Sequence, residues 1–316
     1  MQLKQIKKPV IFLLGPTAAG KTNWAINWQN QFQFFEIISV DSVMVYKECN
    51  FGSAKPSNEV LEKHPHHLIN HVSVKNIFSV ANFYDAAIQL IKDIHHQGKI
   101  PLMVGGSMMY FNLLKNGISS LFSADKNMRE KLRQKIVNYG VESLYKDLLK
   151  LDPEAAKHIK PKDSQRIIRA IEIISFTGKS IDESMNNLTH KPLKETYHLI
   201  EYGIYPKQRG ELHQRIEERQ ESLVGDKLLN EIESILHAFN ISEEHPAMKA
   251  INYRQGLQVI NGQIKKSELF NKSLYATRQL AKRQCTWMKK WEGLQCFDLN
   301  AMDIASDRLK KHFNLL

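Results

Sequence analysis

The segment Gly15-Pro-Thr-Ala-Ala-Gly-Lys-Thr22 holds the residues best suited to chemistry, because it matches the pattern GxxxxGK[ST] in full. Glycines let the backbone N–H groups of such a loop surround phosphate oxygens, and the positive end of the following helix adds to their attraction. Lys21 supplies a cation, and the Thr22 hydroxyl can bind a Mg²⁺ ion that also binds phosphate. We predict that a pyrophosphate is bound by this loop, that is, by Gly15, Pro16, Thr17, Ala18, Ala19, Gly20, Lys21 and Thr22.

Asp41 is a second reactive side chain, at the end of an apolar run nineteen residues after Thr22. In P-loop NTPases an aspartate in a comparable place assists Mg²⁺. Many ATPases follow it with a catalytic acid, but here Ser42 comes next and no convincing water-activating residue is evident. From this pattern alone, both a metal-assisting role and a structural role at the strand end stay open.

The elements that position these residues follow from apolar runs that favour β-strands. We predict four strands, at residues 10–14, 36–41, 100–105 and 198–205. Helical segments separate them, which favours an α/β fold with a parallel P-loop sheet flanked by helices. Ligands bind outside the carboxyl ends of such strands, so Gly15, Asp41 and Gly105 should face one crevice.

A change from apolar β-type runs to helical periodicity predicts two domains. Residues 119–194 read as a helical insertion domain, and residues 119–170 contain twelve Lys or Arg against seven Asp or Glu. Residues 1–118 and 195–316 then form the α/β catalytic core, with helices at its C-terminal end. After the strand at 198–205 we expect the chain to be helical to its end.

The composition favours a polyanionic partner and a reducing compartment. The chain has 316 residues, 42% of them hydrophobic, and a net charge of +11. Such a charge attracts nucleic acid without identifying it. Three cysteines without a CxxC pair, no secretory signal and no membrane-length apolar run predict a cytoplasmic protein with no membrane contact.

Seven motifs in order resemble those of the tRNA dimethylallyltransferase family, bacterial type, from Ile11 to about Trp291. They are residues 41–46 (DSVMVY), 52–56 (GSAKP), 65–69 (PHHLI), 104–110 (VGGSMMY), 163–166 (DSQR) with Arg169, 212–216 (LHQRI), and 277–284 (TRQLAKRQ) with Trp287. The order of the motifs makes the resemblance specific. It implies transfer of a dimethylallyl group from dimethylallyl pyrophosphate to N6 of the adenine immediately 3′ of the anticodon (position 37) of tRNA.

The resemblance also implies roles for individual residues. Asp41 would accept the N6 proton, while Lys21, Thr22 and Mg²⁺ would neutralise charge on the departing pyrophosphate. Ser107 would contact the acceptor region, and Arg215 would contact pyrophosphate.

A further set of residues would hold the tRNA anticodon stem-loop, with the enzyme expected to be a monomer. They are Asp41, Ser42, Val43, Met44, Ser107, Arg129, Gln165, Arg166, Arg169, Lys249, Tyr253, Arg254, Arg278, Lys282 and Arg283. Residues 271–291 contain six Lys or Arg and no acid. On a helix Leu280, Trp287 and Trp291 share a face that can pack on the core, while Arg278, Lys282 and Lys289 would be free to reach phosphates.

Two other functions and several departures stay open. A P-loop small-molecule kinase using ATP explains Lys21 and Asp41 but not the acid-free basic stretch, and an RNA-binding NTPase would change RNA affinity without modifying RNA. Asn70 and Asn82 stand where the family usually has aspartate, and Asn252 where it has glycine. His66 and His67 we interpret as structural rather than metal-binding.

Overall fold

The computed structural model describes residues 7–119, 126–185 and 188–314. Residues 1–6, part of the segment predicted to lack a secretory signal, and residues 120–125 of the predicted insertion lie outside these ranges. The chain divides into two compact units, a core unit of residues 1–112 with 196–316 and a helical unit of residues 113–195.

The strands build one parallel sheet and one short antiparallel pair. They are β1 (Pro9–Leu14), β2 (Phe35–Val40), β3 (His66–His67), β4 (Ile100–Gly105), β5 (Ile118–Ser119), β6 (Leu188–His190), β7 (His198–Ile204) and β8 (Gln295–Phe297). The main sheet has the order β3-β2-β4-β1-β7-β8, with every adjacent pair parallel. The predicted α/β class is confirmed. The prediction of helix alone after the fourth strand is wrong, because β8 has only three residues and gives no periodic signal.

The helices cover both faces of the main sheet or form the helical unit. They are α1 (Lys21–Phe32), α2 (Asn58–Lys63), α3 (Val80–His96), α4 (Met108–Asn116), α5 (Lys126–Tyr139), α6 (Val141–Leu151), α7 (Pro153–His158), α8 (Ser164–Thr177), α9 (Ile181–Met185), α10 (Leu193–Thr196), α11 (Arg209–Leu223), α12 (Asp226–Phe239), α13 (Tyr253–Ile260), α14 (Leu269–Lys289) and α15 (Met302–His312). Among the described residues, no helix is both long enough and apolar enough to cross a membrane.

Two tryptophans hold α1 against the core of the sheet. Trp24 and Trp28 are both buried, and their rings meet edge to face with centroids 5.8 Å apart. Trp28 also packs on Tyr202 of β7 and donates a 2.8 Å hydrogen bond from Nε1 to Oγ of Ser306 on α15. This packing fixes the helix whose N-terminus follows the phosphate loop.

The helical unit has a small apolar core of its own. The predicted buried side of α8 is confirmed, since Ile167, Ile171 and Ile174 are each at most 8% exposed. They pack with Leu144 and Leu148 of α6. Because this core lies within the unit, α8 can present its other side to solvent.

Candidate active site

The phosphate loop connects β1 directly to α1, as its pattern predicts. Gly20 caps α1 with φ 89°, a left-handed conformation that side chains disfavour. Nζ of Lys21 donates a 2.8 Å hydrogen bond to the carbonyl oxygen of Pro16. Burial is the main cause that lowers the pKa of Lys21 to about 7. Nearby Arg219 lowers the pKa further, and Asp41 opposes the shift.

The ends of three strands meet at one cavity of about 630 Å³ in the core unit. Asp41, Gly105 and, from the phosphate loop, Lys21 line this cavity, so the loop and the two strand ends share one crevice as predicted, although Gly15 itself does not line it. The loop contributes Thr17, Ala18 and Thr22 as well, and β4 leads into Ser107, which also lines the cavity. A phosphate cradle, a carboxylate and a hydroxyl therefore share one space.

Backbone amides of the residues after Asp41 bind one oxygen of its carboxylate and leave the other available to the cavity. Its Oδ1 atom accepts hydrogen bonds from the backbone nitrogens of Val43 at 2.8 Å and Met44 at 3.0 Å. Within the described part of the chain, Oδ2 has no hydrogen-bond partner. Ser42, Val43 and Met44 also line the cavity. The carboxylate is thus oriented by one oxygen and available through the other.

Two arginines of α11 lie close to the phosphate loop or to its cavity. Nη2 of Arg215 donates to Oε1 of Glu211 at 2.9 Å and to Oδ1 of Asn300 at 2.7 Å. Its Nη1 would lie only 3.8 Å from a Cβ added at Gly20, so the guanidinium lies against the phosphate loop. Arg215 does not line the cavity, and its contact with pyrophosphate stays a prediction.

Arg219, one helical turn after Arg215, lines the cavity and was missed by the sequence analysis. Its Nη2 donates a 3.0 Å hydrogen bond to the carbonyl oxygen of Ala54. Burial lowers the pKa of Arg219, and the charge of Asp41 opposes this shift. The four-residue spacing between the two arginines was the signal that could have identified it.

Gln284 of α14 joins two walls of the cavity and was also missed. Its Oε1 accepts a 2.9 Å hydrogen bond from the backbone nitrogen of Thr17, and its Nε2 donates one of 2.9 Å to the carbonyl oxygen of Gly106. A Cβ on Gly106 would lie 2.4 Å from Nε2, so only glycine allows this approach. Gln284 is the last residue of the motif at 277–284, which was the available signal, but the motif does not reveal the long-range contact.

The basic helix α14 does not present its residues as predicted. Trp287 is 43% exposed and lines the cavity, so its predicted packing on the core is wrong. Nη2 of Arg278 is paired with Oε2 of Glu217 at 2.7 Å, which corrects the expectation that it is free to reach phosphates. Lys282 and Arg283 are exposed, and Arg283 lines the cavity. These two side chains are the better candidates for phosphate contacts.

The segment before α13 combines cavity-lining and structural residues. Lys249 and Arg254 are exposed and line the cavity, and Lys249 also pairs with Glu244. Tyr253, in contrast, is completely buried, and its hydroxyl donates a 2.7 Å hydrogen bond to Glu231. This placement contradicts the predicted contact of Tyr253 with RNA and gives the side chain a structural role, because it has no surface to offer.

Asn252 takes the backbone conformation that glycine would favour, with φ 73° and ψ −52°. Its side chain is 5% exposed, donates a 2.9 Å hydrogen bond to the carbonyl oxygen of Gly52 and accepts one from Nε2 of Gln220. The asparagine therefore keeps the expected backbone and adds two contacts at the cavity wall.

The other departures also have a local structural account. Oδ1 of Asn70 accepts a 2.6 Å hydrogen bond from Nζ of Lys55, whose pKa is lowered to about 8, chiefly by burial. Asn82 forms a capping box with Ser79 at the start of α3. His67 contacts Glu36 at 3.2 Å. Among the described residues, no group of three or more His, Cys, Asp or Glu is arranged to hold a metal ion.

The predicted RNA contacts of the helical unit lie on α5 and α8. Arg129 makes two hydrogen bonds, of 2.7 and 2.8 Å, to the buried carboxylate of Glu172, and Arg169 makes one of 3.2 Å. Gln165 and Arg166 are exposed. Glu172 thus fixes the orientation of both arginines within this unit.

Comparison with known proteins shows one consistent similarity. The sequence model of the IPP transferase family matches residues 44–291. A protein of Vesicomyosocius okutanii named tRNA dimethylallyltransferase is 42% identical over 285 residues, which cover 90% of this chain and 92% of that protein. One of Acinetobacter baumannii with the same name is 41% identical over 92% of this chain and 93% of its own length.

Solved structures show the same similarity. The full-length tRNA isopentenylpyrophosphate transferase of Bacillus halodurans is 30% identical, with a TM-score of 0.67 over 98% of this chain and 99% of that one. A eukaryotic dimethylallyltransferase acting on tRNA has a TM-score of 0.76 and 25% identity, over 96% of this chain and 78% of that one.

Proposed function

This chain belongs to the IPP transferase family, and we propose that it transfers a dimethylallyl group from dimethylallyl diphosphate to N6 of the adenine immediately 3′ of the anticodon in tRNA. The observation that carries the proposal is the shared cavity of Lys21, Asp41 and Arg283. A diphosphate site, a proton acceptor and a cation suited to an RNA phosphate border the same space.

The phosphate loop supports the donor half of the reaction. Backbone N–H groups, Lys21 and the neighbouring Arg219 place positive charge where the diphosphate would lie. As the allylic C–O bond breaks, the diphosphate leaves with the electron pair, and these donors stabilise the charge that builds on it. Arg215, against Gly20, would contact the same group.

Asp41 supports the acceptor half. The lone pair of an exocyclic amine is delocalised into the purine ring, which makes N6 a weak nucleophile. As N6 forms its bond to the allylic carbon, its proton goes to Oδ2 of Asp41, the oxygen that the backbone of Val43 and Met44 leaves available. Ser107, which lines the same cavity, would contact the acceptor nucleotide.

The residues of the loop fit a Mg²⁺ ion. Thr22 is exposed and lines the cavity, and Mg²⁺ prefers a few protein oxygens together with substrate phosphate oxygens and water. Thr22 would hold the ion, which supplies neutralisation of the charge on the diphosphate.

The enzyme would act as a monomer and bind the anticodon stem-loop of the tRNA. The target base would be turned out of its stack at a cost of a few kcal/mol. Met44 and Trp287 offer apolar surface to the everted purine, and Lys249, Arg254 and Arg283 offer cations at the same cavity. We assign the helical unit to the insertion domain, with Arg129, Gln165, Arg166 and Arg169 as RNA contacts. The free thiols agree with a cytoplasmic location.

The experiment that tests the function is mass analysis of an unmodified anticodon stem-loop after incubation with the protein, Mg²⁺ and dimethylallyl diphosphate. We expect the gain of one C5H8 unit, located on the adenine 3′ of the anticodon. A parallel incubation with ATP and no prenyl donor provides the control. Unchanged RNA with the prenyl donor would contradict the proposal, and phosphate transfer from ATP would favour a kinase.

A further inference from the structure

Gln284 makes an unusual connection because it lies on the basic helix but bonds to the phosphate loop. The side chain is 7% exposed, and both ends of its amide are used. Oε1 accepts from the backbone nitrogen of Thr17, and Nε2 donates to the carbonyl oxygen of Gly106, the residue before Ser107. One side chain therefore connects the phosphate loop at Thr17 to the turn at Gly106, which precedes Ser107.

The two residues before Gln284 face solvent. Lys282 and Arg283 are exposed, and Arg283 borders the cavity. An RNA phosphate held by these side chains would fix the turn of α14 that carries Gln284. Because a helical turn moves as a rigid element, fixing its outer side also fixes the amide on its inner side.

The bond partners of Gln284 make this position sensitive. The Thr17 amide belongs to the loop that surrounds phosphate, so the position of Gln284 affects the position of the loop backbone at Thr17. Gly106 permits the approach only because it lacks a Cβ. A small displacement of α14 would thus alter both the loop and the turn before Ser107.

We propose that Gln284 couples RNA binding on α14 to diphosphate binding in the loop, so that each substrate raises the affinity of the enzyme for the other. Gln284 is a positioning residue, because it acts through the Thr17 amide and the Gly106 carbonyl. The inference rests on the proposed function. Thermodynamic linkage requires the coupling to be equal in both directions.

The test compares the affinity of the full-length protein for inorganic pyrophosphate, with Mg²⁺, in the absence and presence of a saturating unmodified anticodon stem-loop. Pyrophosphate lacks a prenyl group, so no reaction follows. For the wild type we expect the stem-loop to raise pyrophosphate affinity about ten-fold, within the usual range of coupling between sites. Gln284→Leu should reduce this factor to less than about two-fold.

A second variant and a control separate coupling from loss of folding. Gly106→Ala keeps Gln284 but places a Cβ 2.4 Å from Nε2, so it should also abolish the coupling. Gln279→Leu makes the same chemical change on the same helix, away from the cavity, and should retain the wild-type factor. If Gln284→Leu does not fold, the Gly106→Ala protein decides the question.

The possible outcomes are distinct. Ten-fold coupling that survives in the folded variants would overturn the role of Gln284. A wild type that binds both ligands without coupling would overturn the inference and leave the proposed function standing. A wild type that binds neither ligand and adds no prenyl group would contradict the proposed function itself.

Discussion

Nζ of Lys21 donates a 2.8 Å hydrogen bond to the carbonyl oxygen of Pro16, five residues earlier in the same loop. The amine is therefore directed back into the loop, where burial lowers its pKa to about 7. A diphosphate in the loop would bring negative charge next to the amine and raise that pKa. Binding of the donor and protonation of Lys21 should thus be linked.

We expect the protein to take up a proton when it binds diphosphate at pH 8.5, where free Lys21 is mostly neutral. Because the ligand favours the protonated amine, affinity should fall as the pH rises above about 7. Calorimetry in buffers of different ionisation enthalpy measures the uptake. The Lys21→Met protein should bind diphosphate more weakly and without taking up this proton. Equal proton uptake by the variant and the wild type would refute the linkage.

Asp41→Asn should lower kcat by about two to four orders of magnitude, the usual contribution of a general base. The asparagine Oδ1 can still accept the hydrogen bonds from Val43 and Met44, so tRNA affinity should stay near that of the wild type. Asp41→Ala also loses the hydrogen bonds from the backbone nitrogens of Val43 and Met44, so this variant should bind tRNA less tightly. Single-turnover rates and stem-loop binding check both variants. A near-normal rate for Asp41→Asn would remove the carboxylate from the chemistry.

Replacing Lys282 and Arg283 by alanine should flatten the salt dependence of stem-loop binding. Each phosphate contact contributes about 0.7 to 0.9 to the slope of log affinity against log salt concentration. Titrations at several salt concentrations give the slope for the double variant. Lys92→Ala, an exposed change on α3 outside the cavity, is the control. If the double variant keeps the wild-type slope, these side chains do not contact phosphates.

Asn252→Gly should lower the free energy of unfolding by about 1–5 kcal/mol. Glycine relieves a left-handed backbone at a gain of roughly 1 kcal/mol, but the buried Gln220 amide and Gly52 carbonyl each lose a hydrogen bond worth about 1–3 kcal/mol. Asn252→Ala should cost more, because it keeps the backbone strain. Denaturant unfolding measures all three proteins. A glycine variant more stable than the wild type by about 1 kcal/mol would mean that the side-chain contacts contribute nothing.

Local sequence patterns were enough to predict the phosphate loop and the strand ends that form the site. The phosphate loop between β1 and α1 follows from its glycines and flanking apolar run. The convergence of the phosphate loop with Asp41 and Gly105 follows because parallel strands end at one edge of a sheet. These features depend on residues close together in the sequence and on general rules of α/β topology.

Long-range packing decided what the sequence did not predict. The contact of Gln284 with Thr17 joins residues 267 positions apart. Helical periodicity placed Trp287 on a buried face, but the cavity lies beneath that face and leaves the ring exposed. Tyr253 lies next to cavity-lining Arg254, yet points into the core; a one-residue step on a helix is enough to separate the two environments.

The strand order has a consequence for synthesis of the chain on the ribosome. β1 pairs with β4 on one side and with β7 on the other, and 92 residues separate Gly105 from His198. At about 5–20 residues per second, translation leaves one edge of an entirely apolar central strand without its partner for roughly 5–20 s. The nascent polypeptide must protect this edge from other chains during that interval, when the intervening helices are already emerging.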